Sequence, residues 1–197
     1  MDHVIAPLDA DHARAVAQLA AQLTEGLAVA AEGVVAPAPH ITVASYTGLE
    51  PRRAAAALEP VLAARPPFTV RAHGYGIFTG DADTDLSLHV IVVRTRALDE
   101  LHRDVHAALG AAGACLDGTT HPDVWSPHVT VLDRGLTPHL LGRAIEVLAR
   151  RPHRTWSIGV TSLAIASRHE VPTRRSAPLA LGTVARRPSA TEPRRRP

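Results

Sequence analysis

The sequence predicts an α+β protein of two lobes related by a pseudo-twofold axis, each an antiparallel sheet with two helices, with the active-site groove between them. Two observations carry this prediction. Strand and helix patterns recur at a spacing of 88 residues, which is also the separation of His40 and His128. The strand patterns at 67–78 and 86–94 are joined by the short polar segment GDADTD. Such a connection is typical of an antiparallel hairpin rather than of a parallel βαβ crossover.

Four segments show apolar residues at the helical period. Pro51 lies where a first-turn proline belongs, and Thr137 followed by Pro138 is typical of a cap and first helical residue. Pro60 is expected to interrupt the second helix, because proline lacks the backbone N–H that a helix interior needs. The predicted helices are 10–25, 51–64, 97–110 and 137–150.

Strands are predicted where β-branched residues alternate with other residues between turn signals. Two Gly- and Pro-containing segments, 26–39 and 113–127, are expected to be loops. The predicted strands are 3–8, 40–46, 67–78, 86–94, 128–133 and 154–166, with a possible last strand at 179–184.

The chain is expected to fold as one bilobal domain over residues 1–184. Its internal repeat covers about 1–80 and 86–167, and each half runs strand, helix, strand with histidine, helix, strand. Residues 185–197 are rich in Arg and Pro and lack an apolar pattern, so we expect them to be disordered.

Composition excludes several classes of protein. Lysine is absent, and five of the 21 basic residues lie in the segment 185–197 beside Glu192. The rest of the chain holds 16 arginines and 18 acidic residues, a net charge of −2, so the basic balance of the whole chain does not predict a nucleic-acid-binding surface on the body. A single cysteine, Cys115, excludes a disulfide framework and a cysteine-rich zinc site. No apolar run is long enough for a membrane span, and the first residues lack the pattern of a signal peptide, so we expect a soluble cytoplasmic protein. We also expect a monomer without an obligate protein partner.

Two equivalent strands begin with the same pattern, Pro-His-aliphatic-Thr-Val, at His40 and at His128. Residues two apart on a strand share a face, so Thr42 lies beside the first histidine and Thr130 beside the second. Two imidazoles that face each other can act as base and acid in one displacement, and two hydroxyls can bind the oxygens of a phosphate. This chemistry needs no metal or cofactor, and it suits a cyclic phosphodiester.

The duplicated motif resembles that of the two-histidine (2H) phosphoesterase superfamily, which includes bacterial RNA 2′,3′-cyclic phosphodiesterases, also called 2′-5′ RNA ligases. The segment 125–134, WSPHVTVLDR, is similar to the family's aromatic-x-Pro-His-x-Thr-aliphatic-x-Arg pattern, and 40–48, HITVASYTG, is similar to its first motif. The resemblance covers roughly residues 1–167. The segment that follows the first motif is less aromatic here than in many ligase-like members.

The resemblance implies a function for each motif residue. His128 would activate water, and His40 would protonate the leaving 2′ or 3′ oxygen. Thr42 and Thr130 would bind the phosphate. Further substrate contacts are expected from Tyr46 or Trp125, which could stack on a base, and from Arg134 near the end of the second motif strand.

The function expected from the resemblance is the opening of a 2′,3′-cyclic phosphate on a nucleotide or RNA end, with 2′-5′ ligation as the possible reverse reaction. The acidic body favours a small cyclic phosphate over structured RNA. Two alternatives remain open: a non-catalytic protein that binds a nucleotide or RNA end in the same groove, and a metal-dependent hydrolase that uses His102 and His106. We interpret these last two histidines, four apart on a predicted helix, as a solvated helix face.

Overall fold

A computed structural model describes residues 1–27, 34–79, 86–152, 154–167 and 178–182. The predicted α+β class is confirmed, with four helices packed on an antiparallel sheet. In chain order the elements are β1 (Asp2–Pro7), α1 (Ala10–Leu27), β2 (His40–Thr47), α2 (Pro51–Ala63), β3 (Phe68–Phe78), β4 (Leu86–Val92), α3 (Arg96–Ala111), β5 (Cys115–Leu116), β6 (His128–Leu136), α4 (Pro138–Ala149), β7 (Thr155–Val160), β8 (Ser162–Ser167) and β9 (Leu179–Ala180).

The strands form one sheet in the order β7-β3-β4-β6-β2-β1-β8-β9, with β5 paired to β2. The two histidine strands, β2 and β6, lie side by side at its centre. They are joined through a single antiparallel pair, Ile41 with Val129, whereas the pairs on either side of them are longer. The strand pairing is therefore shortest at the centre of the sheet, where its two halves meet.

Each half of the sheet takes strands from both halves of the sequence. The β3–β4 pairing confirms the predicted hairpin, and it places β3 of the first repeat among strands of the second. Strand β8 of the second repeat pairs with β1 of the first. Each lobe is thus built from strands of both halves of the sequence.

The helices cover one face of this sheet. Helices α1 and α4 contact each other and strands β6 and β4, while α2 and α3 contact each other and strands β8 and β2. Ile41 and Val129 point to this face and are fully buried. The opposite face is the one on which residues 40 and 42 of β2 and 128 and 130 of β6 lie, because side chains alternate along a strand.

The helix boundaries agree with the periodicity to within two residues. Thr95 and Thr137 cap α3 and α4 by accepting hydrogen bonds from the backbone N–H groups of Leu98 and Leu140. The expected interruption at Pro60 is wrong, since α2 continues to Ala63. Pro60 lies in the last turn on the exposed side, where water can satisfy the carbonyl that a proline leaves without a donor.

Two strand predictions are corrected. The segment 154–166 is not one strand but two, β7 and β8, because the chain leaves the edge beside β3 at Thr161 and crosses to pair with β1. Within the expected loop 113–127, Cys115 and Leu116 form the short strand β5 against β2.

The last strand is confirmed at Leu179–Ala180 only, and the tail 185–197 lies outside the described residues. Among the helices that the structure describes, none is long and apolar enough to cross a membrane.

Candidate active site

The two motif strands bring both histidines and both threonines to one face of the sheet. The antiparallel pair Ile41–Val129 fixes the register between β2 and β6. Continued by one residue in each direction, this register sets His40 level with Thr130, and Thr42 level with His128. Because the paired Ile41 and Val129 are buried on the helix side, the four motif side chains lie on the opposite side, where all four are partly exposed.

The two imidazoles are held by equivalent hydrogen bonds. Nδ1 of His40 lies 2.7 Å from the carbonyl oxygen of Ala38, and Nδ1 of His128 lies 2.8 Å from that of Ser126. A carbonyl oxygen only accepts, so Nδ1 carries the proton in both rings. In the neutral imidazole, Nε2 is then the atom with the lone pair, and the same tautomer is selected twice.

A β-bulge follows each motif. Along β1 the partners are Val4 with Ala44 and Ile5 with Thr42, so β2 holds one extra residue at this point. The extra residue reverses the alternation of β2 and brings Ser45 to the same face as Thr42. The pairing of β4 with β6 shifts in the equivalent place, after Thr130.

The sheet face that carries the four motif side chains is called the groove face. It opens into a cavity of about 410 Å³ at the end where Thr42 and His128 lie. This is within the range of cavities that bind small ligands. Hydroxyl groups dominate its polar lining, and Phe78, Val124 and Trp125 supply its apolar part. The lining residues are His3, Thr42, Ser45, Phe78, Thr79, Thr119, Thr120, Val124, Trp125, Ser126 and His128.

His128 packs against a second, buried histidine. The ring of His89 on β4 is centred 4.9 Å from that of His128, and it stacks on Phe78 at 4.2 Å. Phe78 also meets the His128 ring edge-on at 4.7 Å. Gly76 on β3 makes room for this arrangement, because a Cβ at that position would collide with Nε2 of His89.

Burial lowers the pKa of both rings in this cluster. The pKa of His128 falls below its usual range mainly because burial penalises the imidazolium, although the hydrogen bond to Ser126 and the carboxylate of Asp133 raise it. The pKa of His89 is lowered to about 4 by burial and by the nearby His128. Both rings are therefore neutral at neutral pH.

The structure places the remaining predicted contacts differently. Tyr46 is fully buried on the helix side of the bulge, its pKa is raised by burial, and it does not line the cavity. Trp125 does line the cavity, but it is 4% exposed, and its indole Nε1 donates to the carbonyl of Thr42 at 3.1 Å. This hydrogen bond links the second motif to the first. The buried indole has little surface left on which a base could stack. The side chain of Arg134 lies outside the described part of the structure.

The interpretation of His102 and His106 as a solvated helix face is wrong. Both are buried on α3, and His102 stacks on Trp125 at a ring separation of 3.8 Å. Nε2 of His102 donates to the carbonyl of Thr120 at 3.0 Å, so that nitrogen carries a proton and has no lone pair to offer a metal ion. Within the described residues no group of three metal-ligating side chains forms, around these histidines or elsewhere.

The sequence held a signal for this burial. Leu98, Leu101, Val105 and Leu109 form the apolar stripe of α3, and the two histidines occupy the remaining positions of that stripe. His89, by contrast, had no local signal. Its place beside His128 depends on the pairing of β4 with β6, which brings together residues far apart in the chain.

Comparison with known proteins gives both a sequence match and a fold match. A sequence profile described as the 2′-5′ RNA ligase superfamily matches residues 6–172. No curated protein matches the sequence. The fold is similar to that of TT0787 of Thermus thermophilus, with a TM-score of 0.63 at 14% identity over 91% of this chain and 97% of that one.

Two further solved structures show the same fold. E. coli LigT complexed with 3′-AMP has a TM-score of 0.59 at 16% identity, over 92% of this chain and 98% of that one. A crystal structure of a phosphoesterase has a TM-score of 0.54 at 21% identity, over 92% and 98%. At these identities the likeness establishes the fold, and the profile match establishes the relationship by sequence.

Proposed function

The chain belongs to the 2′-5′ RNA ligase superfamily, and from this membership we propose that it is a metal-independent phosphodiesterase. It opens a 2′,3′-cyclic phosphate on a nucleotide or RNA end by acid/base catalysis with His40 and His128. The observation that carries this proposal is the pair of His-x-Thr motifs on the adjacent strands β2 and β6, with both imidazoles held in the same tautomer on one face.

The base in this reaction is His128. Its neutral ring has the lone pair on Nε2, because Nδ1–H is bonded to the carbonyl of Ser126. Burial keeps the pKa of the ring below its usual range, so the ring is neutral and able to accept a proton at neutral pH. Nε2 takes a proton from water as the water oxygen forms a bond to phosphorus.

The acid is His40. In its protonated form Nδ1–H stays bonded to the carbonyl of Ala38, and Nε2–H donates to the leaving ribose oxygen. The bond between phosphorus and that oxygen breaks as the oxygen takes the proton, which leaves a phosphomonoester and a free hydroxyl. After one turnover His128 is protonated and His40 is neutral, and proton exchange with water restores both.

The threonines hold the phosphate. Thr42 is level with His128 and Thr130 is level with His40, so each hydroxyl lies beside the imidazole of the other strand. Two hydroxyls that donate to the non-bridging oxygens stabilise the charge that grows on them in the transition state. They also orient the phosphorus between the two rings, which makes in-line attack possible.

The groove and a protein of similar fold support a small substrate. E. coli LigT has been crystallised with 3′-AMP, which is a nucleotide of the expected size. The described residues that line the cavity include no arginine, and outside the tail the sequence is slightly acidic. A small cyclic nucleotide or the end of a short RNA fits these features better than a structured RNA with many phosphate contacts.

Hydrolysis of the four nucleoside 2′,3′-cyclic phosphates in the presence of EDTA tests the proposal. We expect His40→Ala and His128→Ala each to lower kcat by a factor of about 100 to 10,000, the usual contribution of general acid or base catalysis. The double variant should be little slower than either single variant, because the two rings act as one unit. Phosphorus NMR of the product identifies which ribose oxygen leaves.

His139→Ala is the matched control, since His139 is an exposed histidine on α4, outside the cavity lining. It should turn over at the wild-type rate. Activity that is lost in EDTA, or that is unchanged in His40→Ala, would overturn the proposed mechanism. Tight nucleotide binding without turnover in the wild type would instead indicate a binding protein that uses the same groove.

A further inference from the structure

The two ends of the groove are alike at the four motif positions but differ just beyond them. The bulge in β2 brings Ser45 to the groove face, and the repeat places Asp133 at the equivalent position in β6. The neighbouring strand also differs, since Ile5 lies opposite Thr42 whereas His89 lies opposite Thr130. The pseudo-twofold symmetry of the catalytic positions is therefore broken by the residues beside them.

At the open end, Ser45 is part of a hydrogen-bonded unit with His3. His3 lies opposite Ser45 on β1, and its Nδ1 is 2.8 Å from the serine Oγ. A serine hydroxyl can both donate and accept, so Ser45 can bond Nδ1 of His3 and still offer a hydrogen bond to a ligand. Ser45 is 4% exposed and nonetheless lines the cavity.

Neighbouring groups hold this pair in place. The backbone N–H of Ser45 donates to Oγ1 of Thr120 at 3.2 Å, and its carbonyl accepts from the N–H of Asp117 at 2.9 Å. The carboxylate of Asp117 accepts from the N–H of Thr119 at 2.8 Å, and it interacts electrostatically with His3. The pair is thus anchored before any ligand arrives, which reduces the entropic cost of binding.

The charge and the apolar residues of the cavity lining indicate the chemical class of its ligand. Among the described residues that line it there is no lysine, arginine, aspartate or glutamate, and the nearby carboxylate of Asp117 would repel an anion, so these residues favour an uncharged group over a second phosphate. Its apolar contribution includes Phe78, which is 39% exposed, and Val124, which is 64% exposed. Exposed apolar side chains together with fixed hydrogen-bonding groups suit a flat, uncharged ring with donors and acceptors on its edge.

We propose that His3 and Ser45 form a subsite that binds the edge of the substrate's nucleobase in the cavity beside Thr42 and His128, while the leaving ribose oxygen stays on the side of His40. The inference rests on the proposed function, because it assumes that a nucleotide phosphate lies between the two motifs. It adds residues outside both motifs that determine how well the substrate binds.

The test compares a substrate that has a base with one that lacks it. Steady-state hydrolysis of uridine 2′,3′-cyclic phosphate and of glycerol 1,2-cyclic phosphate is measured for the wild type, Ser45→Ala and His3→Phe. Thr47→Ala is the matched control, because Thr47 is an exposed hydroxyl on the same strand that does not line the cavity.

For both subsite variants we expect KM of the uridine substrate to rise about fivefold to tenfold with kcat little changed, the effect of losing one hydrogen bond. The values for glycerol cyclic phosphate should stay within twofold of the wild type, as should all values for Thr47→Ala. An equal loss on both substrates, or no loss on the uridine substrate, would overturn the subsite.

Binding separates this inference from the proposed activity. If the wild type hydrolyses neither substrate, calorimetric titration with uridine 2′-monophosphate and with inorganic phosphate replaces the kinetic assay. Weaker binding of the nucleotide alone in Ser45→Ala supports the subsite even though the catalytic proposal has failed. Unchanged binding of the nucleotide rejects the subsite whatever the activity.

Discussion

At the scale of single residues, the environment of His128 decides whether it can serve as a base. Burial lowers its pKa, while the carboxylate of Asp133 and the carbonyl of Ser126 oppose that effect. The stacked rings of His89 and Phe78 provide the apolar surroundings. A base must be neutral to accept a proton, so the activity should fall as the pH drops through the pKa of His128.

Replacement of Asp133 tests this balance. Asp133→Asn removes the charge that raises the pKa of His128, so the pKa should fall further. The acidic limb of the kcat/KM profile, measured from pH 4 to pH 8, should move to lower pH. An unchanged limb, or a move to higher pH, would show that His128 is not the group that titrates there.

His102 makes a second prediction at this scale, for stability rather than activity. Burial and the neighbouring His106 lower its pKa to about 4 in the folded protein, from the usual 6.5. Above pH 6.5 the imidazole is neutral in both the folded and the unfolded chain. Between pH 6.5 and 4 the unfolded chain binds a proton that the folded protein does not, so the free energy of unfolding falls as the pH drops through this window. Within that window one such group contributes a slope of up to roughly 1.4 kcal/mol per pH unit.

We therefore expect His102→Phe to reduce the dependence of the unfolding free energy on pH between 6.5 and 4. The phenyl ring keeps the stack on Trp125 but loses the bond to the carbonyl of Thr120, so stability at pH 7.5 should also fall. Urea unfolding at several pH values measures both effects. His139→Phe, at an exposed position, should keep the wild-type slope, and an equal change in both variants would contradict the assignment.

At the scale of the strands, the site depends on irregularities that are repeated in both halves. The bulges in β2 and β6 turn Ser45 and Asp133 toward the groove. The pairing of β3 with β4 is also irregular, between Ala72 and Tyr75, just before Gly76. Each irregularity brings to the groove a side chain, or the space for one, that regular alternation would place elsewhere.

Gly76→Ala tests whether the space on β3 is required. The added methyl would collide with the ring of His89, which must then shift together with Phe78 and His128. We expect a loss of about 1–3 kcal/mol in unfolding free energy, typical of an overpacked core, together with a lower kcat. Urea denaturation and the hydrolysis assay measure the two effects.

Gly142→Ala is the control for this substitution. Gly142 lies within α4 with nothing near the position of a Cβ, so alanine should stabilise the protein by about 0.5–1 kcal/mol and leave activity unchanged. If Gly76→Ala behaved in the same way, the packing of His89 would not matter for catalysis.

At the scale of the whole molecule, the groove lies where the two halves of the sheet meet. The pair Ile41–Val129 joins β2 to β6, and Val35, just before β2, exchanges backbone hydrogen bonds with Asp133 of β6. The indole of Trp125 adds a bond to Thr42 across the same junction. A phosphate held by hydroxyls from both strands would link the halves further. Ligand binding should therefore stabilise the fold as a whole.

Thermal unfolding with inorganic phosphate measures this link. The melting temperature of the wild type should rise with phosphate concentration, since a ligand that binds only the folded state stabilises it by RT ln(1 + [L]/Kd). The double variant Thr42→Val/Thr130→Val should lose most of that rise in melting temperature, although valine preserves the shape of the threonine side chain. A rise of the same size in that variant would indicate that phosphate binds elsewhere.

The sequence by itself determined the elements and the four motif residues. Apolar periodicity is a local property, so all four helices and most of the strands could be predicted within a few residues, and the 88-residue repeat marked His40 and His128 as equivalent. The common face of each His-x-Thr pair also follows from local alternation along a strand.

Only the tertiary structure decided what surrounds these residues. The exchange of β3 and β8 between the halves, the packing of His89 on His128 and the pairing of His3 with Ser45 all depend on contacts between distant parts of the chain. The two bulges reverse a strand's alternation without any local signal, so Tyr46 is buried while Ser45 lines the cavity. Burial is a property of the packed molecule, and a residue's type and spacing constrain it without fixing it.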